Sequence, residues 1–107
     1  MTEVQNHQLD MMIAGFLYGE KVRRRDEIIY KKMLHAPDLL TPGKIAKQVG
    51  QTPQRVHASL LRLQDDGIAY STSGYDRVNH KEINQWHINE VGLIQFLLTE
   101  RAKDKLT

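Results

Sequence analysis

Apolar residues recur along this chain at intervals of three and four, and glycines and prolines divide the pattern into segments. Such spacing is typical of helices that bury one face. The first segment predicts a helix over about 5–18, ending near Gly19. The second predicts a helix over about 22–35, which Pro37 prevents from continuing. The apolar face of the first helix consists of Leu9, Met12, Ile13 and Phe16.

Two further helices are predicted, and each begins at a Thr-Pro pair. Thr41 and Thr52 suit the N-cap position, because a hydroxyl there accepts a hydrogen bond from a free backbone amide, and proline suits the first helical position. Gly50 lies where the first of these helices needs a left-handed residue in order to end. The apolar spacing of the second helix continues until Gly67 stops it. The sequence therefore predicts a helix-turn-helix over about 41–66.

The period changes to two after these helices, which indicates a β-hairpin over about 68–88. The polar stretch 76–81 suits the tip of that hairpin. Asn89 is a natural N-cap for a last helix over about 90–103, whose apolar residues cover more than half of its circumference. We therefore expect one domain over residues 1–107, mainly α with a small β-hairpin (α+β), in which four helices precede the hairpin and one follows it.

The composition narrows the picture mainly by exclusion. Apolar residues make up 40% and charged residues 26% of the chain, as in ordinary globular domains. No apolar run approaches the roughly 20 residues of a membrane helix, and the absence of Cys excludes disulfides and Cys-ligated zinc. The histidines lack tight ligand spacing, although His80 and His87 on opposite sides of the hairpin are a pair that could meet. We expect no catalytic residues, no metal, no cofactor and a cytoplasmic location.

The positive charge lies in the middle of the chain. The formal net charge is +2, yet residues 1–20 contain three acids and no Lys or Arg. Residues 21–40 contain six bases against three acids, and residues 41–66 contain four bases against two acids. This distribution is compatible with a polyanionic partner without requiring one. The basic run 21–25 has two interpretations: a solvated helix surface answered by the acids that follow, or a phosphate contact.

Three residues have the spacing that a helix-turn-helix needs. Ala46 is a small residue where the second helix would cross the first, Gly50 occupies the turn, and Val56 is apolar where the second helix packs back. With these features the stretch 45–68 resembles the core of bacterial winged-helix transcriptional regulators of the multiple-antibiotic-resistance and arsenic-repressor types. The stretch 86–92 likewise resembles a second wing strand that runs into a C-terminal helix.

That resemblance implies how the residues would meet double-stranded DNA. In such proteins the second helix of the motif enters the major groove. The base contacts would then come from Thr52, Gln54, Arg55, His57 and Ala58. Contacts with the DNA backbone would come from Lys44, Lys47, Ser59 and Arg62. The wing would reach the minor groove or flanking phosphates through Arg77, His80 and Lys81. Arg55 is the foremost base reader, since Arg donates two hydrogen bonds to guanine.

The terminal helices are more apolar than a minimal winged helix requires, which indicates an interface. We expect a homodimer that presents two recognition helices to a pseudo-palindromic site. The alternative is that the two terminal helices pack on each other within one chain. The residues assigned to the dimer interface are Leu9, Met12, Ile13, Phe16, Leu93, Phe96 and Leu97.

The resulting expectation is a dimeric, nucleoid-associated protein that binds a specific duplex site and represses or otherwise regulates transcription. The exposed positions of the second motif helix before Asp65 include bases and amides but no acids, which favours DNA. Leu61 lies where a polar or basic residue is common in these regulators, which keeps a protein partner open. Two alternatives remain: architectural DNA binding in plasmid partition or replication control, and a winged helix that docks only proteins.

Overall fold

The computed structural model describes the backbone of residues 3–31 and 40–106 and the side chains of residues 5–25 and 40–100. Within these ranges the chain is mostly helical, with four helices and one two-stranded antiparallel hairpin. The α+β expectation is thereby confirmed. The elements are α1 (Glu3–Lys31), α2 (Pro42–Val49), α3 (Pro53–Asp65), β1 (Ala69–Asp76), β2 (Lys81–Ile88) and α4 (Glu90–Leu106).

The two predicted N-terminal helices are one continuous helix, α1, so the predicted end at Gly19 is wrong. A glycine inside a helix costs only about 1 kcal/mol, and Gly19 does not have the positive φ of a helix-ending residue. Ion pairs within the helix hold the next turn in place, because Glu20 accepts a hydrogen bond from Arg23 at 2.6 Å and lies 3.6 Å from Arg24. The bond from Arg23 also lowers the pKa of Glu20. Pro37 lies outside the described residues.

The signals that delimit α2 and α3 are confirmed. The Thr41 hydroxyl accepts a hydrogen bond from the Lys44 amide, and the Thr52 hydroxyl accepts one from the Arg55 amide, each at 3.3 Å. Gly50 ends α2 with φ 69°, a left-handed conformation that glycine adopts without steric cost. Local side-chain and backbone chemistry thus sets the bounds and the short turn that the sequence predicts.

The hairpin covers residues 69–88, close to the predicted range of about 68–88, and β1 includes the polar run 71–74. Its register pairs Ala69 with Ile88 at the base and Asp76 with Lys81 at the tip. The Trp86 amide donates a hydrogen bond to the Leu40 carbonyl at 2.9 Å, which attaches the hairpin to the chain entering α2. The hairpin therefore projects past the N-terminus of α2.

The hydrophobic core of the described residues lies between α1, α2, α3 and the base of the hairpin. Its least accessible side chains include Ile13, Ile45, Leu60 and Ile88, each at most 1% exposed. The final helix α4 covers one flank of this core and lies beside α1, where the His7 and Phe96 rings are 6.3 Å apart. No helix of the described ranges is long and apolar enough to cross a membrane.

The seven residues assigned to a dimer interface do not share one surface. Leu9 and Ile13 are 3% and 0% exposed and belong to the core, so their assignment to an interface is wrong. A helix face that is apolar in sequence is here buried within the same chain. Met12 and Leu97 are 45% and 50% exposed. The remaining three are partly buried against the core: Phe16, Leu93 and Phe96.

Asn89 joins α4 to the turn that follows α3. Its side-chain oxygen accepts a hydrogen bond from the Gly92 amide at 3.3 Å, as expected of the N-cap. Its side-chain nitrogen donates to the Gly67 carbonyl at 3.1 Å, and its backbone amide donates to the Ile68 carbonyl at 2.7 Å. Asn89 therefore caps α4 and attaches the start of that helix to the turn that follows α3.

Candidate nucleic-acid interface

The outer face of α3 is accessible along its whole length. Because a helix turns through about 100° per residue, the exposed and buried positions separate into two stripes. The exposed stripe contains all five residues predicted to read bases, and the sequence has no acid from Thr41 to Gln64. Exposed residues are Thr52, Pro53, Gln54, Arg55, His57, Ala58, Leu61 and Gln64, followed by Asp65 at the end of the helix. Buried residues are Val56, Ser59, Leu60 and Leu63.

These exposed residues are not equally placed. By helical geometry Gln54, Ala58 and Leu61 lie opposite the buried stripe, at the centre of the outer face. Arg55 lies at its edge, where it lines a depression of about 330 Å³ together with Gln8 of α1. The predicted base reader is thus exposed but stands on the α1 side of the helix.

Two residues predicted to contact the DNA backbone hold α3 onto α1. Ser59 is fully buried and donates a hydrogen bond to the Asp10 carboxylate, so its assignment to a DNA contact is wrong. Arg62 donates to the same carboxylate from Nε at 3.0 Å and from Nη2 at 2.8 Å. The bond with Asp10 raises the pKa of Arg62. Arg62 therefore pairs with a buried acid while its side chain is 36% exposed, and its role at a phosphate stays a prediction.

Asp10 is the residue that the sequence pattern missed. It follows Leu9 and is 8% exposed, inside the apolar face of α1. The sequence does contain a signal for this role, namely an acid one helical turn before Ile13 on the apolar face of α1. A carboxylate buried there needs a basic or hydroxyl partner. The partners lie 49 and 52 residues away, so no local spacing identifies them.

The N-terminus of α2 lies next to the hairpin tip. Lys44 lines a depression of about 280 Å³ together with Asp76 and Val78. Lys44 and Lys47 are both exposed. The surface around Lys44 therefore adjoins the hairpin tip.

The hairpin tip is a four-residue turn with basic side chains on either side. Asp76 organises it by accepting hydrogen bonds from the Val78 and Asn79 amides at 2.9 and 3.3 Å. The side-chain bond from Asn79 is the main reason that the pKa of Asp76 is lowered. All three predicted wing contacts are exposed: Arg77, His80 and Lys81.

The histidines of the hairpin do not form a pair. His80 occupies the turn with φ 53°, whereas His87 pairs with Tyr70 near the base of the hairpin. At about 3.3 Å per residue, seven residues of strand separate them by roughly 23 Å. The suggestion that they approach each other is wrong. The described side chains include no group of three His, Cys, Asp or Glu residues that could hold a metal.

Comparison with protein-family models, with curated proteins and with solved structures finds no match for this chain.

Proposed function

We propose that this protein is a winged-helix protein that binds specific double-stranded DNA as a dimer and regulates transcription, most simply as a repressor. In this proposal α2 and α3 form the helix-turn-helix, α3 enters the major groove, and the hairpin acts as the wing. The observation that carries the proposal is the accessible face of α3, which has no acid before its last residue, Asp65, and is held on α1 by the buried Asp10 carboxylate. A reading element must be rigid and free of charges that repel phosphate.

The arrangement of basic residues supports the same proposal. The bases of α2 and α3 are Lys44, Lys47, Arg55 and Arg62, of which Arg62 pairs with Asp10. Lys44 lies beside the hairpin tip, where Arg77 and Lys81 are exposed. A major-groove helix flanked by basic residues provides both base contacts and phosphate contacts. The charge is moderate, so binding should depend on sequence and not on charge alone.

Substitutions at Arg55 and Lys47 should have different consequences for DNA binding. Arg55→Ala should weaken binding to the preferred duplex by about 1–3 kcal/mol and flatten the preference at one base pair. Lys47→Ala should weaken binding to every duplex similarly and reduce the slope of log affinity against log salt by about one. Fluorescence anisotropy with labelled duplexes across a salt series measures both effects.

Lys21→Ala is the matched control, because Lys21 lies on α1 with its ammonium 3.8 Å from Glu90. It should leave the salt slope unchanged. If Arg55→Ala and Lys47→Ala weaken all duplexes equally, Arg55 does not read bases. If no variant changes binding, α3 is not the DNA-binding element.

The dimer of this proposal uses the outer face of α4. Four large apolar side chains there are 50–65% exposed, and their spacing places them along one side of the helix. Contiguous exposed apolar surface on a small domain marks an interface, and a second copy would cover it across a two-fold axis. The four residues are Val91, Ile94, Leu97 and Leu98.

Ile94→Glu should convert the dimer to a monomer, because the interface would have to bury an unpaired carboxylate. Sedimentation at tens of micromolar should give the mass of two chains for the native protein and of one chain for the variant. Val78→Glu, at the 85% exposed hairpin tip, is the matched control and should stay dimeric. A single-chain mass for the native protein would overturn the dimer and leave DNA binding by one copy.

The exposed Leu61 on the outer face of α3 favours one second candidate, a winged helix that docks a protein. That function needs no basic surface and predicts no response of any duplex to Lys47→Ala. The anisotropy series above therefore separates the two.

A further inference from the structure

A groove of about 320 Å³ lies between α1 and the base of the hairpin. Its floor is apolar and includes Leu17, Leu40 and Ile88, while Trp86 and Tyr70 contribute aromatic surface from the hairpin. The Tyr70 ring is stacked on the His87 ring with centroids 5.1 Å apart. His87 in turn makes a 2.8 Å hydrogen bond with the Thr72 hydroxyl. The aromatic wall is thus held in place by contacts within the hairpin.

Three bases of α1 line the same groove, and their spacing places them on one side of the helix: Lys21, Arg24 and Arg25. Two carboxylates hold them there. Glu90 lies 3.8 Å from Lys21 and 3.9 Å from Arg25, and Glu20 lies 3.6 Å from Arg24. Arg24 is the most enclosed of the three, with a side chain only 18% exposed. Among the side chains that the structure describes, Arg23 also pairs with Glu20.

We propose that this groove binds a small organic anion that has a compact apolar body, such as an aromatic carboxylate or sulfonate. The volume is at the lower end of the range for ligand sites, about 300–1,000 Å³. The floor suits one or two rings. The described residues that line the groove include three bases and no acid, which suits one negative group. An acid bound there would interact with Arg24 at low solvent exposure, where ion pairs are stronger than at the open surface.

A phosphate of duplex DNA fits this groove less well. A duplex would reach the basic rim and leave the apolar floor uncovered, whereas a small amphipathic anion covers both. The proposal does not rest on DNA binding, because none of the lining residues belongs to α2, α3 or the hairpin tip. In this proposal the basic run 21–25 binds a small organic anion and makes no contact with phosphate.

His87 provides a reporter of charge inside the groove. Burial lowers the pKa of His87, and the charges of Arg24 and Lys21 lower it further. An anion bound beside these bases offsets their charge and favours the imidazolium. The pKa of His87 in the native protein should therefore be higher with an anion in the groove than with a neutral molecule of the same rings. Proton NMR of the imidazole measures that difference without any substitution.

The test uses 1-anilinonaphthalene-8-sulfonate as the anion and N-phenyl-1-naphthylamine, which has the same rings without the sulfonate, as the neutral control. Trp86 is the only tryptophan of the chain and lines the groove, so saturable quenching of its fluorescence reports occupancy. We expect the anion to bind at least about tenfold more tightly than the neutral control, since one ion pair at low exposure is worth about that factor.

Matched variants locate the site. The double variant Lys21→Gln, Arg24→Gln should lose at least about tenfold in affinity for the sulfonate and keep its affinity for the neutral probe. Lys47→Gln should change neither. Equal affinities for the two probes, or equal pKa values of His87 with the two probes bound, would overturn the proposal. So would loss of sulfonate binding on Ile94→Glu with the double variant unaffected, because the probe would then occupy α4. If the double variant does not fold, the His87 titration of the native protein decides.

Discussion

Gly92→Ala should destabilise the fold by about 3 kcal/mol, the upper part of the usual range for forcing atoms into a packed site. A Cβ at residue 92 would lie 1.9 Å from the Gly67 carbonyl oxygen and 2.8 Å from its carbon. The obstacle is backbone, so no side-chain rotation relieves it. The first turn of α4 would have to move away, and the bonds from Asn89 to Gly67 and Ile68 would stretch. Urea denaturation followed by far-UV circular dichroism gives the free energy of unfolding.

Gly15→Ala is the matched control for this substitution. Gly15 lies inside α1, is exposed, and has open space where the Cβ would stand. Alanine should stabilise the protein there by about 0.5–1 kcal/mol, because glycine loses more backbone freedom on folding. The same chemical change should thus raise the denaturation midpoint at one site and lower it at the other. Equal midpoints for Gly92→Ala and the native protein would mean that α4 does not rest on the Gly67 turn.

Asp10→Asn should cost about 2–3 kcal/mol of stability. The substitution leaves Arg62 without its anion and places an amide against the donors of Arg62 and Ser59. Breaking a buried pair costs about 3–5 kcal/mol, and the lower figure applies here because the Arg62 side chain is 36% exposed. Since the pair joins α1 to α3, binding to duplex DNA should weaken as well, although Asp10 itself is buried and acidic. Urea denaturation and anisotropy measure the two losses.

Glu20→Gln is the control for Asp10, because Glu20 also pairs with an arginine at short distance but within one helix. The Arg23 side chain is 52% exposed, the Arg24 pair is longer at 3.6 Å, and pairs within one helix contribute about 0.3–0.5 kcal/mol each. The two carboxylate substitutions should therefore differ clearly in stability. Equal losses would show that the contact of Asp10 with α3 adds nothing beyond an ordinary surface pair.

The parts of this fold that sequence predicts are those with local causes. Thr41 and Thr52 cap helices through the amides three residues on, and Gly50 ends α2 through its own φ. Asn89 likewise caps α4 within one turn. In each case the determining contact lies within a few residues, so the residue type and its position suffice.

The parts that sequence did not predict depend on contacts between distant segments. Gly19 and Gly50 each follow an apolar helical pattern, so the sequence predicts a helix end at both. The ion pairs and packing around each glycine decide that α1 continues through Gly19 and that α2 ends at Gly50. The apolar stripe of α1 predicts burial but does not show which surface covers it. The sequence therefore assigns Leu9 and Ile13 to a dimer interface, whereas the same chain buries them. The carboxylate that pairs with Arg62 belongs to Asp10, 52 residues earlier, so the local sequence pattern does not identify this pair.

The most direct test of the proposed function is selection of bound duplexes from a random DNA pool at about 0.15 M salt, which suppresses purely electrostatic binding. We expect an enriched motif with two inverted half-sites whose centres lie about one turn of the DNA helix apart. An enriched single half-site or tandem copies would keep DNA binding and reject the two-fold dimer. No enrichment, together with no binding at low salt, would contradict the proposal that α3 reads DNA.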